Sequence, residues 1–165
     1  MTETIKVGFK RLNDNAIIPT KAHATDSGYD LYANEDVLIE PGDTAIVKTG
    51  IAVELPAGYE AQISPRSGVT AKTKLRVQLG TVDNGYRGEL GVIVDNISPN
   101  DRECRGVRYI DGSPEPYESD TYEIRKGDRI AQLVIQRLPE TEAVEIDEFS
   151  EDSERGADGF GSSGV

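Results

Sequence analysis

Apolar residues in this chain come in short alternating runs, and nowhere does a helical spacing continue for three turns. Ile5-Val7-Phe9, Tyr59-Ala61-Ile63, Leu75-Val77-Leu79 and Leu90-Val92-Val94 each put every second side chain on one face, the period of a half-buried strand. Proline and glycine cut between the runs at Pro19, Pro41-Gly42, Pro56, Pro65, Asn84-Gly85 and Gly127-Asp128. Strand therefore follows strand at intervals of roughly eight to twelve residues, the pattern of a sandwich, jelly roll or barrel. One short helix is expected over about 67–73, with Ser67 as its N-cap.

The 165 residues suffice for one domain with a real core. With no Trp and 6% aromatics, that core must be built from Val, Ile and Leu. The strand pattern runs over 1–149, interrupted by a polar, Pro- and Gly-rich surface segment at 97–120 that holds a short strand at about 107–110. Residues 150–165 read as a mobile arm, acidic and then glycine-rich.

Net charge is −12, which argues against a nucleic-acid polymer as partner because phosphate neutralisation needs clustered Lys and Arg. The stretch 140–154 holds eight acids and no base, so it supplies −8 of that charge. The remainder is only mildly acidic and can still form a local site for a small anion. Cys104 is alone, which excludes an internal disulfide and fits a reducing, cytoplasmic setting. One Cys and one His (His23) leave no ordinary zinc site. The N-terminal residues carry no long apolar run, so neither a signal peptide nor a membrane span is expected.

Four clusters can carry chemistry. In SPRSGVTAK (64–72), Arg66, Ser67 and Gly68 stand where a strand hands over to the short helix, and free amides at a helix start suit phosphate. In GTVDNGYRGELGVIV (80–94), Asn84-Gly85 signals a two-residue hairpin that brings Asp83 and Tyr86 close together. In KGDRIAQLVIQ (126–136), Gln132 interrupts an apolar strand, and a buried amide needs partners or a ligand. The last cluster, Arg155 followed by GADGFGSSGV (156–165), combines glycines that allow close backbone approach with one aromatic, Phe160, suited to stacking on a base.

Taken in order, SGYDLYA (27–33), PRSGVTAK (65–72), GTVDNGYRGEL (80–90), GDRIAQLVI (127–135) and RGADGFGSSG (155–164) resemble the five motifs of the homotrimeric dUTP diphosphatase family. The resemblance implies an all-β jelly roll. It also implies Mg²⁺-assisted hydrolysis of dUTP to dUMP and diphosphate, which keeps uracil out of DNA and supplies dUMP for thymidylate synthesis. Active sites would be assembled from three subunits. By resemblance, Asp83 orients the attacking water and touches the sugar 3′-OH, and Tyr86 lies under the deoxyribose and excludes a 2′-OH. The backbone of Gly80, Thr81, Val82 and Asp83 reads uracil; cytosine would leave buried groups unpaired there, and tight packing would exclude thymine's methyl. Arg66, Ser67, Gly68 and Gln132 contact the phosphate chain, and Asp30 supports Mg²⁺ through its waters. Arg155 with Gly161, Ser162 and Ser163 grips the γ-phosphate, and Phe160 covers the uracil.

Asp158 stands where the family usually has glycine, and Ser163 where it has threonine. The 97–120 segment is longer than in compact members and resembles the extra sequence of some phage members, which in some of them contacts protein partners. Two other functions fit the same residues: a dCTP deaminase of the same fold, and a nucleotide-gated regulatory protein that uses 97–120.

Overall fold

The computed structural model describes residues 4–99, 107–111, 120–151, 153 and 156. In chain order the strands are β1 (Gly8–Arg11), β2 (Gly28–Tyr32), β3 (Val37–Ile39), β4 (Thr44–Lys48), β5 (Ile51–Glu54) and β6 (Tyr59–Pro65). A six-residue helix, α1 (Ser67–Lys72), follows, and then β7 (Leu75–Val77), β8 (Gly80–Val82), β9 (Gly91–Asn96), β10 (Arg108–Tyr109), β11 (Tyr122–Ile124) and β12 (Arg129–Arg137). They form a β jelly roll, one of the architectures the alternating pattern allowed and the one the resemblance implied. A four-stranded sheet runs β2-β12-β6-β8 and a three-stranded one β4-β9-β7, completed by β10-β11-β3 and the β1-β5 pair.

Alternation explains the core. On β6, Ala61 and Ile63 are buried while Gln62 and Ser64 are not; on β9, Val92 and Val94 are buried while Ile93 is exposed. Leu31, Val47, Ile51, Leu75, Ile124 and Leu133 join them in one continuous cluster of Val, Ile, Leu and Ala, with Tyr122 its buried aromatic. Two turns have glycine at positive φ where a type II turn requires it. Gly42 (φ 84) lies inside the turn closed by Asp43 N–H on Glu40 O (3.0 Å), and Gly127 (φ 88) inside that closed by Asp128 N–H on Arg125 O (2.9 Å).

The excursion that leaves after β9 and returns before β11 is tied at its base by one buried side chain. Asn96 Nδ2 donates to Ile39 O (2.9 Å) and to Asp120 O (2.6 Å), while its Oδ1 accepts Ser98 N–H (3.0 Å). Both ends of the excursion are thus held to β3 by a fully satisfied amide, so the loop between adds little cost to the fold.

Four expectations are corrected. Asn84-Gly85 does not form a two-residue hairpin: β8 pairs with β6 and β9 with β4 and β7, so the turn carries the chain from one sheet to another. A type I′ hairpin turn needs positive φ at both central residues, and Gly85 is not among the glycines that have it. Ser67 is the first helical residue, not the N-cap; Arg66, extended at φ −96 and ψ 130, holds the cap position without a side-chain cap bond. Gln132 is only half-buried, not buried, and lies on a strand central in its sheet. Finally, β7 stops at Val77, which leaves Leu79 exposed.

Candidate active site

Cross-strand register on the four-stranded sheet places Asp30 (β2), Gln132 (β12) and Ser64 (β6) side by side, with Leu31, Leu133 and Ile63 turned to the core. On the outer face a cleft of about 410 Å³ opens, lined by Asp30, Arg66, Ser67, Gly68 and Gln132 among others. Three segments remote in sequence therefore converge as expected. Gly28, opposite Val134 on β2, makes that convergence possible. A Cβ there would sit 3.0 Å from Gln132 Cβ and 3.2 Å from Leu133 O, and the carbonyl cannot yield.

Polar contacts fix the cleft's floor. Gln132 Nε2 donates to Pro65 O (3.0 Å), holding the residue just before the phosphate-type turn. Thr70 N–H closes on Arg66 O (3.1 Å), and helix geometry leaves the amides before it without intrahelical acceptors. Arg66 Nε meets Asp30 Oδ1 at 3.0 Å, and Arg129 Nη1 meets Asp30 Oδ2 at 3.3 Å. Asp30, only 13% exposed, thus sits between two guanidiniums, of which Arg66 lines this cleft and Arg129 the neighbouring one. Arg66 and the free amides of the turn that follows it are the groups in the cleft that can meet an anion.

A second cleft of about 240 Å³ lies at the β8 edge, lined by Gly80, Thr81, Val82, Asp83 and Tyr86 with Ile63 beneath. Tyr86 N–H donates to Asp83 O (3.0 Å), which closes the turn and keeps acid and ring adjacent. The Tyr86 hydroxyl donates to Glu89 O (3.0 Å), and Gly88 leaves the ring its place: a Cβ there would lie 2.6 Å from Tyr86 Cζ. This cleft offers an acid, a ring and a strip of backbone, which suits a nucleoside. It shares no lining residue with the first. Among the described residues, the expected site residues therefore line two separate clefts.

Two residues escaped the sequence reading. Arg129 lay in a quoted motif but was given no role. Asn84 was read only as a turn former, yet its Nδ2 donates to Pro56 O (2.6 Å) and Tyr59 O (3.0 Å), with Leu55 O at 3.3 Å. That amide moors the Asp83–Tyr86 turn to the loop before β6, and only the tertiary fold brings those carbonyls to it. Arg155, Phe160, Gly161, Ser162 and Ser163 lie outside the described residues, as does the 97–120 segment apart from its two ends and residues 107–111.

A jelly roll with one cleft built on Arg66 and a helix-start turn and another built on an acid and a ring has the layout of a nucleotide-binding protein. The family model described as dUTPase matches residues 14–104 and 117–164, leaving 105–116 between the two stretches. A deoxyuridine 5′-triphosphate nucleotidohydrolase of Clostridioides difficile is 43% identical over 157 residues, covering 94% of this chain and 95% of its own. The solved dUTPase of Staphylococcus bacteriophage 80alpha with dUpNHpp superposes at a TM-score of 0.92 with 41% identity, covering 98% of this chain and 100% of that one. A mutant dUTPase from phage phi11 of S. aureus, solved to show coordination of a structural Mg(II) ion, superposes at 0.82 with 36% identity, covering 89% of this chain and 100% of its own. The chain belongs to the dUTPase family.

Proposed function

We infer that this protein hydrolyses dUTP to dUMP and diphosphate. The observation that carries the reading is the division of the family's motif residues into one cleft with Arg66 and the amides of the turn after it, for phosphates, and another with an acid and a ring, for a nucleoside. In this mechanism Arg66, Ser67, Gly68 and Gln132 hold the phosphate chain. Asp83 accepts a hydrogen bond from a water and aligns it on the α-phosphorus; the bond from that phosphorus to the bridging oxygen breaks and diphosphate departs. The proton passes from the water to Asp83 and on to solvent, a general-base contribution of about 10²- to 10⁴-fold. Tyr86 bars a 2′-OH, and the backbone of residues 80–83 reads the base. Arg155, Phe160 and Gly161–Ser163 complete the reading as a cover over base and γ-phosphate.

Mg²⁺ fits the donor set in an outer role. Asp26 and Asp30 are the carboxylates of the phosphate cleft, and among the described residues no three His, Cys, Asp or Glu side chains group into a cage. Such an ion would be held mainly by phosphate oxygens and water, and Asp30 is the carboxylate that would accept from its water shell. When bound it supplies charge neutralisation to the triphosphate.

A homotrimer accounts for the two separate clefts: the nucleoside half of one subunit would meet the phosphate half of another. An apolar surface beside the second cleft supports this. Ile46 and Ile93 are cross-strand partners, 65% and 42% exposed, and Ile93 lines that cleft. Such a patch is suited to burial against a second copy.

The test is a hydrolysis panel with Mg²⁺ over dUTP, UTP, dCTP and dTTP, with ammonia measured on dCTP. Rapid turnover of dUTP alone is expected; ammonia from dCTP would instead establish the deaminase. In the same assay Asp83→Asn is expected to retain dUTP binding while losing at least about 100-fold in kcat. Unchanged turnover would remove Asp83 from the mechanism.

A further inference from the structure

The geometry points to Arg129 as a positioning residue of the phosphate cleft, acting on Arg66 through Asp30. The proposal rests on reading that cleft as the phosphate half-site. Its origin is a β-bulge. Arg129 pairs with Tyr32 and Ala131 with Leu31, so Ile130 is an extra residue in β12. Strict alternation would send Arg129 to the core with Ala131 and Leu133. The bulge instead lets the consecutive Ile130 and Ala131 both be buried, at 1% and 0% exposure, and returns Arg129 to the outer face with Gln132.

From there Arg129 holds Arg66 by two routes. Its guanidinium occupies Asp30 Oδ2 (3.3 Å), leaving Oδ1 to Arg66 Nε (3.0 Å), and its own carbonyl accepts a hydrogen bond from Arg66 Nη1 (3.2 Å). Both flanks of the Arg66 fork are thereby fixed. The charge matters as much as the geometry. Without Arg129, Asp30 would present an uncompensated oxygen to Arg66, draw it into a bidentate pair and set a negative charge against the incoming phosphates. The bulge thus converts a core-facing position into the counter-charge that keeps Arg66 available to the ligand. A β-bulge that re-aims one side chain beside an active site is a recurrent device.

The experiment is a double-mutant cycle in the full-length protein, with Arg129→Gln, Arg66→Gln and the pair, read by the KM for dUTP and by the inhibition constant for inorganic diphosphate. Arg129→Gln is expected to weaken both by about tenfold, with a smaller fall in kcat, and to have less than about a twofold further effect once Arg66 is Gln. Arg129→Lys, which keeps the charge, is expected to recover most of the diphosphate affinity. Equal losses in the two backgrounds, or wild-type diphosphate inhibition in Arg129→Gln, would overturn the proposal. So would an Arg129→Lys variant as weak as Arg129→Gln when both unfold at the wild-type temperature. Wild-type protein that turns over dUTP but is indifferent to diphosphate would instead refute the phosphate reading of the cleft, and the proposal with it.

Discussion

Single amides set much of the site's geometry. Asn84 spends its two N–H donors on three backbone carbonyls and so anchors the turn that carries Asp83 and Tyr86. Replacing it with alanine would leave half-buried carbonyls unpaired, at about 1–3 kcal/mol, and would free the turn. Because a displacement of about 1 Å can cost 100-fold in rate, Asn84→Ala is expected to lower kcat for dUTP at least tenfold. Diphosphate inhibition, which reads the other cleft, should stay within about twofold; steady-state kinetics with diphosphate as inhibitor would show both. The identities at this scale were legible in the sequence: Asp30, Arg66, Ser67, Gly68 and Gln132 do line one cleft. What Asn84 and Arg129 do was not legible, because their partners lie some 25 to 100 positions away in the chain.

At the scale of elements, strand after strand follows its alternation, and the departures occur where two strands negotiate a register. The bulge at Ile130 and the sheet-crossing turn at Asn84-Gly85 are both of this kind. A local dipeptide signals a turn; whether the flanking strands then pair depends on which other strands claim their edges, here β6 for β8 and β4 and β7 for β9. The excursion between β9 and β11 belongs to this scale too. Asn96 closes its base with three hydrogen bonds while itself 1% exposed. Asn96→Ala would strand two carbonyls and one amide, so a loss of about 2 kcal/mol or more is expected, visible as a lower urea midpoint with an unchanged slope. An unchanged midpoint would show that the excursion is held elsewhere.

At the scale of the molecule, the two clefts and the exposed Ile46–Ile93 face predict sites shared between subunits. Complementation tests this. Asp83→Asn and Arg66→Gln subunits, each expected to be nearly inactive alone, are unfolded together and refolded as a mixture. If one subunit supplies Asp83 and another Arg66, some mixed trimers hold a site with both intact, and dUTP turnover should return to a sizeable fraction of wild type. A mixture no more active than its components would place the whole site within one chain.

The sequence by itself determined the strand-built class, the Val-Ile-Leu core, several of the residues that line the clefts and the family motifs that name the chemistry. Each follows from a period of two or from residue types at fixed local spacing, which is information carried along the chain. The tertiary structure alone decided that those residues form two clefts, that Arg129 points outward and that Asn84 moors the turn bearing Asp83 and Tyr86. The physical reason is that a hydrogen-bonding partner, a bulge or a sheet edge is chosen by competition among segments distant in sequence. No local pattern records which of them wins.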